Sequence, residues 1–181
     1  MRRKKNRGFT IIELMVVLVI IGILLAIAVI SGTEMMNKYR VESQTKQMYA
    51  DLMNARVSAM SKNRKYFMTP AAARYSIYED TNPGPDGDGV LLAGDRQVMQ
   101  VNLNGTYAVT MTPAAAVVDT INFDQRGLVS WSLGIISVPT VTQQTIHVTA
   151  SYGAAYDCID ISPMKIRMGA WNENGAICNV Q

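Results

Sequence analysis

An uninterrupted apolar run from Leu14 to Ile30 constrains this chain more than any other feature of its sequence. No residue in the run is charged, and only Gly22 interrupts its aliphatic side chains. A helix over the run would be about 25 Å long at about 1.5 Å per residue, which nearly crosses the hydrocarbon core of a bilayer. Because a basic segment at 2–7 precedes it, the positive-inside rule keeps the amino terminus in the cytoplasm. The sequence therefore predicts a single-pass membrane protein with the rest of the chain outside the cytoplasm.

Two details distinguish this segment from an ordinary secretory signal peptide. Such a peptide has a small-residue cleavage site after its apolar region, but no Ala-x-Ala pattern follows Ile30. In addition, Glu13 lies at the edge of the apolar run, where a charged side chain at full membrane depth would cost about 2.5–3.5 kcal/mol. We therefore expect an interaction that offsets the burial of this carboxylate.

The motif Gly8-Phe9-Thr10-x-x-Glu13, placed before an aliphatic helix, resembles the signature of type IV prepilins. The resemblance implies that a prepilin peptidase cleaves between Gly8 and Phe9 and that the new amino terminus of Phe9 is methylated. It also implies that Glu13 contacts the charged terminus of a neighbouring subunit during filament assembly. The expected location is the inner membrane, with the carboxyl-terminal domain in the periplasm.

The charge of the mature protein differs from that of the whole chain. The formal net charge is +3, but five of the 17 Lys and Arg residues lie in the segment 2–7. Without them, 12 basic residues face 14 acidic ones, a side-chain balance of −2. The positive charge of the chain is therefore mainly a topological signal and indicates little about partners.

Helix-forming residues continue beyond the apolar run. An apolar stripe at helical spacing predicts an amphipathic helix to about Asn63. The residues assigned to the stripe and its flank are Tyr39, Met48, Tyr49, Leu52, Met53, Ala55, Ala59 and Met60. The predicted organisation is a leader at 1–8, a transmembrane and assembly helix at 9–30, an amphipathic continuation at 31–63 and a β-rich periplasmic domain at 64–181.

Short runs rich in Val, Ile, Thr and Tyr, separated by turn-forming residues, follow the helix and predict strands. Asn104-Gly105 lies between two alternating runs and predicts a tight hairpin there. The predicted strands are 74–78, 96–103, 106–111, 120–124, 128–132, 145–151, 157–161 and 165–168. The expected fold is α+β and pilin-like, with one long helix whose first half spans the membrane and whose second half carries an antiparallel sheet.

Three further segments resemble GspH/FimT-type minor pilins and pseudopilins. They are the Leu-x-x-Ala-Arg-x-x-Ala pattern at 52–59, the Phe-x-x-x-Gly element at 123–127 and the Arg-bearing strand around Arg167. The resemblance implies a minor pilin or pseudopilin that primes or caps a type IV pilus or a type II secretion pseudopilus. Its expected partners are other pilins, the prepilin peptidase, the inner-membrane assembly platform and the lipid bilayer.

The first of these segments contains Arg56 on the amphipathic helix. An unpaired buried guanidinium would cost several kcal/mol, so we expect it to pair with a carboxylate of the sheet; a surface role in subunit contact is the alternative.

Both cysteines, Cys158 and Cys178, lie in the segment predicted to be outside the cytoplasm. In an oxidising compartment such a pair predicts one disulfide, although two free thiols remain the alternative. Closing a loop of about 20 residues would stabilise the protein by roughly 3 kcal/mol in the chain-entropy model.

Two ligand-binding possibilities have weaker support. Asp86 and Asp88 lie in an acidic, glycine-rich loop that could supply oxygens to Ca²⁺, but the loop lacks the distal Glu of an EF-hand. Lys165 and Arg167 could contact the phosphates of DNA if the folded chain formed a cationic patch. A membrane-anchored binding module, for example a DNA-binding minor pilin, is therefore the alternative function.

The sequence offers little for catalysis. His147 alternates with apolar residues in a predicted strand, and no nucleophile or carboxylate pair accompanies it. We expect neither an enzyme nor a bound cofactor.

Overall fold

The computed structural model describes residues 9–84, 87–112, 119–134, 136–138, 142–150 and 152–180, with the backbone alone for 27–32. The chain divides into two compact units, Met1–Asn37 and Lys38–Gln181. Helix α1 (Ile11–Lys62) contributes its first part to one unit and its remainder to the other. Among the described residues, no helix has both the length and the mean hydropathy of a membrane-crossing segment.

The second unit is organised around a stripe of buried side chains on α1. The buried positions are Val41, Thr45, Met48, Leu52, Ala55 and Ala59. They alternate at intervals of four and three residues, the spacing that places side chains on one side of a helix. Tyr39 and Met60 were predicted to lie in or beside this stripe, but they are 69% and 44% exposed. Val41 and Thr45 occupy the buried positions instead, because they lie two heptads before Ala55 and Ala59 and therefore share their side of the helix.

Eleven strands follow the helix in the described part of the chain, and all of their pairings are antiparallel. Their bounds are β1 Tyr66–Ala71, β2 Arg74–Glu79, β3 Arg96–Asn102, β4 Val109–Thr112, β5 Thr120–Phe123, β6 Val129–Leu133, β7 Ile136–Ser137, β8 Gln144–Val148, β9 Cys158–Ile161, β10 Ile166–Asn172 and β11 Ile177–Val180. One sheet has the order β3-β2-β1-β5-β6-β7 and the other the order β11-β10-β9-β8-β4.

Alternate residues of both sheets join the α1 stripe in one hydrophobic core. In the six-stranded sheet, Met68, Ile121 and Trp131 form a cross-strand row that is buried. In the five-stranded sheet, Met111, Ile146 and Ile159 form an equivalent row. The predicted α+β, pilin-like fold is confirmed, but the strands form two antiparallel sheets on the second part of the helix where one was expected.

The predicted hairpin at Asn104-Gly105 is wrong. Strand β3 pairs with β2, whereas β4 pairs with β8 in the other sheet. Between them lies a 3₁₀ turn at Gly105–Tyr107, in which the Asn104 side chain accepts a hydrogen bond from Thr106 N at 3.0 Å. The turn therefore carries the chain from one sheet to the other instead of reversing it within one sheet.

Candidate functional site

The start of helix α1 contains the residues of the prepilin-like motif. Thr10 Oγ1 accepts a hydrogen bond from Glu13 N at 3.4 Å, and the Thr10 carbonyl accepts one from Leu14 N at 3.2 Å. Thr10 is therefore the N-cap, and Glu13 is the third helical residue, the position that Glu takes in a capping box. A carboxylate in the first turn also interacts favourably with the positive end of the helix dipole.

Large apolar side chains follow this capped turn and are exposed all around the helix. Their exposed fractions lie between 46% at Ile21 and 83% at Ile11, and that of Phe9 is 81%. An apolar surface of this extent needs lipid or another protein to cover it. Gly8 lies outside the described residues, so cleavage between Gly8 and Phe9 stays a prediction, as does the assembly role of Glu13.

The predicted disulfide between Cys158 and Cys178 is confirmed. Cys158 lies on β9 opposite Gly169 of β10, and Cys178 lies on β11 opposite Trp171 of the same strand. The bond therefore links the two neighbours of β10 and ties the last strand of the chain into its sheet.

The residues proposed for DNA contact differ in their surroundings. Lys165 is exposed in the turn between β9 and β10. Arg167 Nη2 lies 3.0 Å from Asp160 Oδ2, and the Asp160 side chain is only 1% exposed. Because the Asp160 carboxylate offsets the charge of Arg167, Lys165 and Arg167 together attract phosphate less than two free cations would. DNA contact by these residues stays a prediction.

The calcium candidates receive no support within the described residues. Asp86 lies outside them, and Asp88 Oδ1 accepts a hydrogen bond from Val90 N at 3.0 Å within its own loop. In the described part of the chain, no group of three or more His, Cys, Asp or Glu side chains is arranged to hold a metal ion.

Arg56 does not have the predicted carboxylate partner within the described residues. It is half-buried, and its Nη2 donates to the carbonyl oxygen of Met164 at 3.2 Å. The bond connects α1 to the turn between β9 and β10. Gly127 also packs against this part of the helix. A Cβ at position 127 would lie only 2.8 Å from Met60 Sδ. The predicted carboxylate partner is therefore not found in the described part of the chain. Because Arg56 is only half-buried, water can reach the guanidinium donors that Met164 does not engage.

A cluster of charges that the sequence analysis missed surrounds Glu79, whose side chain is 6% exposed. It accepts hydrogen bonds from Lys62, at 3.2 Å, and from Arg96, and Arg64 lies 3.9 Å away. Burial alone would raise the pKa of Glu79, but the bonds from Arg96 and Lys62 outweigh it and lower the pKa. The cluster joins the end of α1 to β2 and β3, and its members are too far apart in sequence to suggest pairing.

His147 stacks on Trp171 with ring centroids 3.8 Å apart and an interplanar angle of 3°. Burial lowers the pKa of His147, although Glu173 opposes the shift. Since the ordinary pKa of His is about 6.5, the imidazole is mainly neutral at pH 7. The stack connects β8 with β10, the two strands that flank β9.

The comparisons with known proteins agree with these observations. The family model of the prokaryotic N-terminal methylation motif matches residues 3–29. The match covers only the start of the chain, and it includes the prepilin-like motif at 8–13.

Solved structures with this fold include the type IV minor pilin FimU of Pseudomonas aeruginosa strain PAO1. Its sequence identity to this chain is 18%, the match covers 74% of this chain and 91% of that chain, and the TM-score is 0.50. The minor pseudopilin EpsH from the Type 2 Secretion System of Vibrio cholerae matches with 10% identity, 72% and 97% coverage and a TM-score of 0.46. No curated protein matches the sequence.

Proposed function

We propose that this protein is a minor subunit of a type IV pilus or a type II secretion pseudopilus, and that it primes or caps the filament. In this proposal a prepilin peptidase removes residues 1–8 and the amino group of Phe9 is methylated. The processed chain then remains in the inner membrane until the assembly platform transfers it into the filament. Its role is structural rather than catalytic.

The observation that carries the proposal is the combination of a capped Glu13 with an entirely exposed apolar helix. In the membrane, lipid covers the side chains from Ile11 to Leu25. In a filament, the helices of neighbouring subunits cover the same surface, so extraction from the bilayer exchanges one apolar environment for another. The cost of burying Glu13 must then be offset by an opposite charge.

The amino group of Phe9 in a neighbouring subunit supplies that charge. Because cleavage creates this amine, only processed subunits can form the pair. Thr10 keeps the start of the helix at Ile11, so Glu13 stays at a defined distance from its own amino terminus. The pair therefore offsets desolvation and also determines the axial position of one subunit relative to the next.

The test compares Glu13→Ala with Glu13→Gln. A Gln at this position can still act in a capping box, so it removes the charge while preserving the local helix start. We expect both variants to insert into the membrane and both to be absent from filaments. The measurement is the amount of epitope-tagged protein in the membrane fraction and in sheared, purified filaments. Normal incorporation of Glu13→Gln would show that the charge is dispensable and would refute the pairing.

Processing is tested separately with Gly8→Glu. We expect this variant to keep its leader, which intact mass measurement of the membrane-extracted protein detects. A mass equal to that of the processed native chain would contradict cleavage at this position.

A further inference from the structure

The outer face of the six-stranded sheet, opposite the hydrophobic core, carries polar side chains in register. Phe67 of β1 lies opposite Asn122 of β5, which lies opposite Ser130 of β6. In the next row, Ser132 of β6 lies opposite Ser137 of β7. Phe67 is only 1% exposed, so the accessible floor consists mainly of hydroxyl and amide groups.

The segment Asp88–Leu91, from the connection between β2 and β3, forms a wall beside this floor. The two enclose a cleft of about 260 Å³, and Lys65 lies at its side. A shallower groove of about 530 Å³ shares Lys65 and Ser130 and continues towards Arg126. Lys65 and Ser130 therefore lie where the two depressions meet.

Buried carboxylates hold the described parts of this connection in place. Asp80 Oδ2 accepts from Gly89 N at 2.8 Å, and Asp95 accepts from Thr81 N, Asn82 N and Leu92 N at 2.7–3.0 Å. Both carboxylates are less than 10% exposed. The wall is thus preorganised, which reduces the ordering cost of binding a ligand against it.

Gly89 also determines the position of the Lys65 ammonium. Lys65 Nζ donates to the Gly89 carbonyl oxygen at 3.0 Å. Gly89 has φ +82°, and a Cβ there would lie 2.5 Å from Nζ, so only glycine lets the ammonium approach this closely. An ammonium has three donors, and none of the ion pairs between described residues includes Lys65. It can therefore donate to a ligand in the cleft.

We propose that this cleft binds a sugar that carries one carboxylate, such as a uronic acid. Lys65 donates to the carboxylate of the sugar, while Ser130 and Asn122 exchange hydrogen bonds with its hydroxyls. Asn122 is oriented by reciprocal bonds of 3.3 and 3.4 Å with Ser132. Asp88 accepts from a further hydroxyl.

The charges favour a singly charged sugar over a phosphate. Among the described residues that line the cleft, Lys65 is the one cation and Asp88 the one carboxylate, so a dianion would be repelled more strongly than a singly charged ligand. The hydroxyl-rich floor favours a polyhydroxylated ring over an apolar peptide side chain. The volume lies just below the range of about 300–1,000 Å³ for drug-sized ligands and suits a single ring.

The test titrates the full chain, in a detergent without a sugar headgroup, with glucuronate, glucose and acetate by ligand-observed NMR. We expect glucuronate to bind about tenfold more tightly than either glucose or acetate, because only glucuronate uses both the ammonium and the hydroxyl groups. Absence of saturable glucuronate binding, or equal affinities for glucuronate and acetate, would overturn the proposal.

Two variants separate the two parts of the site. Lys65→Gln should weaken glucuronate binding about tenfold and leave glucose binding unchanged, whereas Ser130→Ala should weaken both. Lys38→Gln is the matched control, because it removes the same charge at an exposed position on α1 that does not line the cleft. Equal losses for Lys65→Gln and Lys38→Gln would show that net charge alone is responsible and would refute the site. Because binding is measured on the unassembled protein, the result does not depend on the filament role.

Discussion

A hydrogen bond between Tyr75 and Asp51 gives the sharpest test of how the sheet is attached to the helix. Tyr75 of β2 is 1% exposed, and its hydroxyl donates to Asp51 Oδ2 of α1 at 2.6 Å. Burial, reinforced by this bond to a carboxylate, raises the pKa of Tyr75 well above its ordinary value. Tyr75→Phe removes the hydroxyl and keeps the ring, so it isolates the bond from the packing.

The expected loss of stability follows from the charge and exposure of the acceptor. A hydrogen bond to a charged group contributes about 1.5–3 kcal/mol. Asp51 is half-buried, so water can replace the lost donor and the lower end applies, about 1.5 kcal/mol. For a chain of this size the melting temperature should fall by about 3–6 °C. The control Tyr39→Phe, at a side chain that is 69% exposed, should change stability by less than about 0.5 kcal/mol.

The effect should also depend on pH. Because the folded-state pKa of Tyr75 is raised, its contribution is fully present below the unfolded-state pKa of about 10 and is lost as the pH rises above it. At pH 11, ionisation of the unfolded chain removes about 1.4 kcal/mol from the native protein and nothing at this position from the Phe variant. The stability difference between the two should therefore approach zero there.

The assay is urea unfolding of the full chain in detergent, followed by tryptophan fluorescence at pH 8 and pH 11. Both tryptophans, Trp131 and Trp171, lie in the sheets, so the signal reports on that unit. A Phe variant as stable as the native protein at pH 8, or a difference that is unchanged at pH 11, would refute the reasoning.

Three further predictions use the same unfolding assay. Replacing Cys158 and Cys178 together by Ser should cost about 3 kcal/mol, because the bond closes a loop with a sequence separation of 20 residues; an unchanged midpoint would contradict this. Leu52→Ala should cost about 2.7–5 kcal/mol, because Leu52 is 0% exposed, and it should far exceed Val57→Ala at a side chain that is 54% exposed. Glu79→Gln should destabilise the protein at pH 7. Because the folded-state pKa of Glu79 is lowered, its contribution is fully present above the unfolded-state pKa of about 4.3 and is lost as the pH falls from there through the lowered pKa, so the difference should shrink; a constant difference between pH 7 and pH 3 would exclude a role for its charge.

The sequence predicted the segments whose structure depends on near neighbours. The helix over the apolar run was predicted from its uninterrupted composition, whereas its amphipathic continuation and most strands were predicted from their periodicity. Strands β1, β7 and β11 were missed. Strand β1 contains Pro70, a residue that normally argues against a strand. The Glu79 cluster was missed for a different reason, since only the pairing of β2 with β3 brings Arg96 close to Glu79.

The outer-face cleft was equally hidden in the sequence. Its lining comes from β1, β5, β6, β7 and the connection before β3, and only the pairing of these strands brings the residues together. Gly89 is part of a glycine-rich loop that suggested Ca²⁺, but its structural role is to admit the Lys65 ammonium. The glycine-rich composition of the loop therefore indicated a structural feature, but the role of Gly89 became clear only from its position beside Lys65 on the sheet.

The error at Asn104-Gly105 shows why strand pairing was harder to predict than strand position. Asn-Gly between alternating runs favours a hairpin when both strands bury the same face beside each other. Here the Asn104 side chain caps a 3₁₀ turn that directs Tyr107 into the core, where it is 5% exposed. Its carbonyl then accepts a hydrogen bond from Gln44 of α1 at 2.6 Å. Because burial of one aromatic ring and a bond to the helix hold the crossing in place, β4 pairs with β8 and completes the second sheet. The decisive interactions involve residues 63 positions apart, so no local pattern around Asn104 could have indicated them.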